Sequence, residues 1–175
     1  MTLESERLIL RPWTEEDAEA MYKYARDERI GPMAGWPPHT SVEHSRAIIR
    51  QVLSKEGTFA VVLRETMEPV GSISIMLPGE GSAPMETGEA ELGYWIGRPH
   101  WGKGLIPEAA EALLKRCFEE LSVTAVWAYH FAGNEQSHRV MEKCGMTFHH
   151  ADTDDDGRGR RFMRVSKEEW EKRNG

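Results

Sequence analysis

Between Glu89 and Phe131 the hydrophobic period of this sequence changes twice, and that change limits the folds open to it. EAELGYWIG (89–97) alternates as a strand does, with Glu89, Glu91, Gly93 and Trp95 on one side and Ala90, Leu92, Tyr94 and Ile96 on the other. A glycine-rich turn, GRPHWGKG (97–104), follows. Ala110, Leu113, Leu114, Cys117, Phe118 and Leu121 then recur at helical spacing. VTAVWAYHF (123–131) reads as a strand buried on both faces. This order calls for a sheet with helices packed on it.

The flanking segments extend that plan. Residues 7–13 (RLILRPW) read as a first strand, and Thr14 with Asp17 three residues on opens a helix through Ala18, Met21, Tyr22 and Ala25. IGPMAGWPPHT (30–40) reads as a Gly/Pro loop. Ser41 caps a second helix in which Ser45, Ile48, Ile49, Val52 and Leu53 share a face. TFAVVLRE (58–65) and PVGSISIML (69–77) form a β-hairpin, and a second Gly/Pro loop spans 78–88. Asn134 opens a helix that Gly145 ends. MTFHHA and RRFMRV are two last strands around an acidic turn, and Ser166-Lys167-Glu168-Glu169 is a capping box for a terminal helix. The expectation is one α/β (α+β) domain over 1–175, with a mixed sheet of about seven strands and helices on both faces.

Composition narrows the function classes. A chain of 175 residues, 39% apolar and 29% charged, can bury one sizeable core as a soluble protein. The opening MTLESERLILRP mixes charge signs and resembles no signal peptide, and no run of 18 apolar residues occurs. The only cysteines, Cys117 and Cys144, sit in helical patterns, as expected of a reducing cytoplasm. A net charge of −7 disfavours nucleic acid as a partner and is compatible with a basic acceptor.

The turn at 97–104 carries the chemistry. Closely spaced Gly102 and Gly104 let a ligand approach the backbone, and the loop feeds a helix N-terminus whose unbonded N–H groups favour an anion. Pro107 fits the first helical turn, and Lys103 adds charge. The segment therefore reads as a phosphate cradle. It nearly matches the Walker pattern, but Gly104 stands where a Mg²⁺-binding hydroxyl is needed, and the following strand has no aspartate. The tract Asp152–Gly157 imitates the start of an EF-hand loop, but Met163 occupies the twelfth position, where a glutamate belongs. The histidines show no zinc-ligand spacing, so no metal is expected.

Two motifs together resemble the GNAT acyltransferase superfamily across nearly the whole chain. The first is Trp101-Gly102-Lys103-Gly104-Leu105-Ile106, similar to the family's Gln/Arg-x-x-Gly-x-Gly/Ala pyrophosphate loop, with Trp101 in place of Gln/Arg and Ile106 in place of the small residue. The second is Asn134-Glu135-Gln136-Ser137 followed by Glu142-Lys143-Cys144-Gly145-Met146. Both resemble the ribosomal-protein N-acetyltransferase (Rim-type) branch. The resemblance implies a sheet splayed between its fourth and fifth strands, opened near Gly93. It also implies acetyl-CoA as acyl donor and a primary amine as acceptor, either a protein N-terminus or a small molecule, with a homodimer left open. It places cofactor contacts at Ile96, Trp101 to Ile106, Asn134 and Ser137.

Roles follow from the chemistry. The attacking amine must be neutral, which at pH 7 holds for roughly a tenth of α-amines and far less than a thousandth of lysines. Glu91 is the candidate general base, with Glu89 on the same face as its competitor. The resemblance makes Ser137 the candidate general acid for the leaving thiolate, on a helical face shared with Val140, Met141 and Cys144. Met33 and Trp36 in the 30–40 loop, with Glu89 and Tyr94, are candidates for the acceptor side.

Overall fold

The computed structural model describes all residues from Met1 to Gly175. Its strands β1 (Leu3–Glu4), β2 (Leu8–Arg11), β3 (Thr58–Leu63), β4 (Pro69–Met76), β5 (Glu89–Ile96), β6 (Ala125–Phe131), β7 (Thr147–Thr153) and β8 (Gly159–Ser166) form one mixed sheet in the order β1-β2-β3-β4-β5-β6-β8-β7. The helices are α1 (Ala18–Ala25), α2 (Gly31–Ala34), α3 (Val42–Ile48), α4 (Leu105–Glu119), α5 (Glu135–Lys143) and α6 (Lys167–Asn174). No helix is long and apolar enough to cross a membrane.

By contacts the chain divides into Met1–Ser74 with Tyr94–Ala112, and Ile75–Gly93 with Leu113–Gly175. In the first unit β2 pairs antiparallel with β3 from Leu8↔Leu63 to Arg11↔Ala60, and β3 pairs with β4 across a bulge at Val61/Val62. Trp13, Ala18, Met21, Ala25, Ile49, Ala60 and Val62 form its core. Burying each of the larger aliphatic side chains contributes roughly 1.5–3 kcal/mol. The Trp13 indole N–H finds Ser72 Oγ at 3.0 Å, so the ring is buried with its polar atom satisfied.

In the second unit β5 runs parallel to β6, with register only over Glu89–Glu91 and Ala125–Trp127, whereas β6 pairs antiparallel with β8 along its full length. The short β5–β6 ladder falls where the fourth and fifth strands were expected to part. Phe118, Leu114, Met141, Phe162 and Met163 are fully buried, and Phe118 packs on Trp170 at 5.3 Å. Cys117 and Cys144 are both buried thiols, and burial raises the Cys117 pKa to about 12. β7, at the sheet edge, is exposed on both faces.

Three details differ from the sequence reading. The sheet has eight strands because Leu3–Glu4 folds back on Leu10 and Ile9 through the Ser5 N–H to Leu8 carbonyl bond. Two residues are too few to show a period. The next strand stops at Arg11 because Pro12 has no N–H for a ladder. The 30–40 loop contains α2, whose end is set by Gly35 at φ 95°.

Candidate active site

The cradle forms where β5 ends and α4 begins. Gly102 and Gly104 have φ of 75° and 74°, the left-handed region that only glycine enters without strain. A Cβ built on Gly102 would meet nothing within 4 Å, and one on Gly104 would meet only the Arg7 guanidinium at 3.6 Å. The glycines are thus required by backbone conformation; the missing side chain leaves open space at Gly102, whereas at Gly104 the Arg7 guanidinium stands there. Lys103 is exposed between them. Ile106, which stands where the family pattern has a small residue, is only 3% exposed, so its side chain belongs to the core. Leu105 is likewise buried.

Trp101 has a definite job in this turn. Its indole N–H donates to the Ile96 carbonyl at 2.9 Å, tying the loop back to the end of β5. That accounts physically for a tryptophan where the family pattern has Gln or Arg. Preceding it, His100 Nε2 lies 3.2 Å from the Tyr24 hydroxyl, which donates to Glu68. Burial, reinforced by the charge of Lys103, pushes the His100 pKa down and keeps the ring neutral.

Arg7, Ser5 and Glu108 escaped the sequence reading. Arg7 Nη1 donates to the Lys103 carbonyl at 2.9 Å, while its Nε and backbone N–H donate to the two Glu108 oxygens at 2.8 and 2.9 Å. The Ser5 hydroxyl also donates to Glu108. Burial opposes ionisation of Glu108, but Ser5 and Arg7 outweigh it and hold its pKa low. Glu108 stands in the first turn of α4, where a carboxylate is favoured by the helix dipole. Nothing local announces these contacts, since Arg7 and Lys103 are 96 positions apart.

Of the candidate acceptor-side residues in the first unit, Trp36 belongs to an aromatic cluster. Trp36 meets Trp95 edge-on at 5.7 Å and tilts over His39 at 5.2 Å, and Trp95 stacks on Trp13 at 6.4 Å. Trp36 covers Gly31, where a Cβ would come within 2.5 Å of the ring. It is therefore both a packing element and, being half-buried, part of a surface. Met33 is exposed on α2, and Tyr94 is half-buried in β5. His39, buried with Nδ1 2.7 Å from Ser45 Oγ, has its pKa lowered to about 4 by burial and by neighbouring His44.

The two strand glutamates of the second unit differ sharply. Glu89 accepts from the Trp127 indole at 2.7 Å and from Arg164 at 2.8 Å. Burial disfavours its charge, but these partners outweigh it and hold the pKa low. Glu91 is 2% exposed and has no guanidinium partner among its hydrogen bonds: its Oε1 accepts from the backbone N–H groups of Ser82, at 3.0 Å, and Ala83. Burial pushes its pKa up against those bonds. Asn134 caps α5, its side-chain oxygen accepting the Ser137 N–H at 3.2 Å, and Ser137 is half-buried in the first turn. Next to it, His138 Nδ1 lies 3.0 Å from Nε2 of buried His130, whose Nδ1 donates to the Phe131 carbonyl. No group of three or more His, Cys, Asp or Glu is arranged to hold a metal.

Comparison with known proteins identifies the family and the fold. Residues 7–147 match the acetyltransferase (GNAT) domain model. The N-acetyltransferase p20 of Bacillus licheniformis, itself uncharacterized, is 35% identical over 132 residues, covering 73% of this chain and 71% of that protein. The crystal structure of a GNAT-family acetyltransferase from Bacillus anthracis superposes with a TM-score of 0.82 at 24% identity, over 96% of this chain and 99% of the other. The aminoglycoside acetyltransferase AAC(6')-Ib, solved with ribostamycin and coenzyme A, shares the fold at a TM-score of 0.78 and 21% identity, over 97% and 99% of the two chains. With its glycine cradle at the head of α4, its mixed sheet and a family match over most of its length, this chain belongs to the GNAT acetyltransferase family.

Proposed function

We propose that this protein transfers an acetyl group from acetyl-CoA to a primary amine. The observation that carries the reading is the cradle: two left-handed glycines at the N-terminus of α4, with open space where a Gly102 side chain would stand. Backbone N–H groups and the helix dipole there suit a pyrophosphate. Trp101, Gly102, Lys103, Gly104, Leu105 and Ile106 would hold it, mainly through main chain, with the Ile96 backbone and Asn134 serving the pantetheine arm. Acetyl-CoA supplies a thioester carbonyl open to attack by a neutral amine.

Glu91 is favoured over Glu89 as the base. Glu89 is committed to Arg164 and Trp127, whereas the raised pKa of Glu91 brings a carboxylate closer to the pH at which it can usefully take a proton. Being buried, Glu91 would act through a water. Ser137 would return a proton to the departing thiolate. Met33, Trp36 and Tyr94 would line the acceptor side, and resemblance of the Trp-Gly-Lys-Gly and Asn-x-x-Ser motifs to the Rim-type branch favours a protein N-terminal amine as the acceptor.

A second reading is favoured by the engagement of Glu91 with the Ser82 and Ala83 backbone: an acyl-CoA-binding module without turnover. One experiment separates the two. Protein, acetyl-CoA and a panel of amines (N-terminal peptides, lysine peptides and aminoglycosides) are mixed and free thiol is followed. Thiol release that depends on an N-terminal peptide supports the proposal. Binding of acetyl-CoA with no release by any amine favours the binding module, and absence of binding refutes both.

A further inference from the structure

We infer that Arg7 is a positioning residue for the cradle, holding the Gly102–Gly104 turn in its ligand-ready shape before anything binds. The inference rests on the CoA-binding reading above. A loop with two left-handed glycines has wide conformational freedom when unrestrained, and each residue ordered on binding subtracts from affinity. Arg7 removes that freedom from outside the loop. Its guanidinium donates to the carbonyl of Lys103, the residue between the two glycines, and its Nη2 lies 3.6 Å from the Cβ position of Gly104. Its own place is set by both oxygens of Glu108 and by its position one residue before β2, with the Ser5 hydroxyl on the same carboxylate.

The arrangement also settles which carbonyl the loop turns away from its ligand. A carbonyl lone pair presented to a pyrophosphate would repel it. Binding the Lys103 oxygen to Arg7 keeps that carbonyl directed at the guanidinium, consistent with N–H groups being offered on the other side of the turn. Glu108 would otherwise stand as a bare negative charge in the first turn of the helix that receives the anion, and Arg7 compensates it. Two functions are thus combined in one side chain, and they can be separated by mutation.

The test measures CoA affinity by calorimetry for wild type, Arg7→Ala, Arg7→Lys, Glu108→Gln and the Arg7→Ala/Glu108→Gln double variant. Amide hydrogen exchange of residues 101–106 is followed without ligand. Arg7→Ala is expected to weaken CoA about tenfold, the equivalent of about 1.4 kcal/mol, and to speed exchange within the loop. Arg7→Lys keeps the charge but not the fork, so it recovers only part of the affinity. The double variant, relieved of the Glu108 charge, recovers only part of the affinity. In turnover, KM for acetyl-CoA rises while kcat stays within about twofold, since uniform binding is what is lost. Arg7→Ala binding CoA as wild type does would overturn the inference. So would full recovery of affinity in the double variant, because Arg7 would then only neutralise Glu108. Wild type failing to bind CoA at all would instead refute the underlying reading.

Discussion

The head of α4 and the Glu91–α5 region are both proposed to serve one reaction, yet they are built by opposite means. At the head of α4 the proposed working groups are main-chain N–H donors, and the side chains of Arg7, Glu108 and Trp101 hold the backbone. In the Glu91–α5 region the proposed working groups are side chains, held by local bonds: Ser82 and Ala83 grip Glu91, and the Asn134 cap fixes the turn that bears Ser137. A backbone site is robust to side-chain exchange except where a glycine or its brace is touched. A side-chain site fails at single atoms.

The largest effect should come from breaking the backbone half. Gly102→Val forces a β-branched residue into φ 75° and fills the open side. Strain and lost anion contacts of about 3 kcal/mol or more imply at least a hundredfold loss of CoA affinity. Calorimetric titration checks this, and an unchanged dissociation constant would remove the cradle from the argument. In the side-chain half, Ser137→Ala should lower kcat roughly 100-fold, and Glu91→Gln about 10-fold with loss of the acidic limb of the pH–rate profile. CoA affinity should hold within a few-fold in both. A matching loss of CoA affinity would show that these residues bind and do not catalyse.

His39 tests the first unit through stability. Its folded pKa, about 4, lies below the unfolded value of 6.5, so the unfolded chain takes up a proton that the folded one refuses. Its contribution is present above pH 6.5 and is lost as pH falls towards 4, by up to about 3 kcal/mol at 1.36 kcal/mol per unit. Urea midpoints at pH 7.5 and pH 4.5 should differ more in wild type than in His39→Gln. The smallest effect is expected from Trp101→Phe, which keeps the ring but deletes the bond to Ile96. A loss near 1 kcal/mol, hence a few-fold in CoA affinity, follows.

The same contrast explains what could be read from the sequence. Gly102, Gly104 and the Asn134 cap were legible because their work is local: a φ value or a bond three residues along fixes each one. The helix starts at Ser41 and Ser166 were legible for the same reason, each side chain accepting the N–H of the third residue on. Arg7 was not, because its partners lie 96 and 101 positions away, and only the folded chain brings them together. The difference between Glu89 and Glu91 was also hidden. Alternation put both on one face, but whether a carboxylate meets Arg164 or the bare backbone of residues 82–83 depends on distant strands and loops. Strand β1 was missed because two residues carry no period.

The two buried thiols give the protein a gauge of its own openings. In the closed state neither Cys117 nor Cys144 is accessible to a bulky disulfide reagent, and burial leaves Cys117 overwhelmingly unionised at neutral pH. The folded protein should therefore contribute little background when liberated CoA is counted by thiol titration. Under excess reagent the roles reverse. Each modification event then records a moment when α4 or the end of α5 exposed its interior, so labelling rates with and without CoA would show how far ligand occupancy quiets each helix.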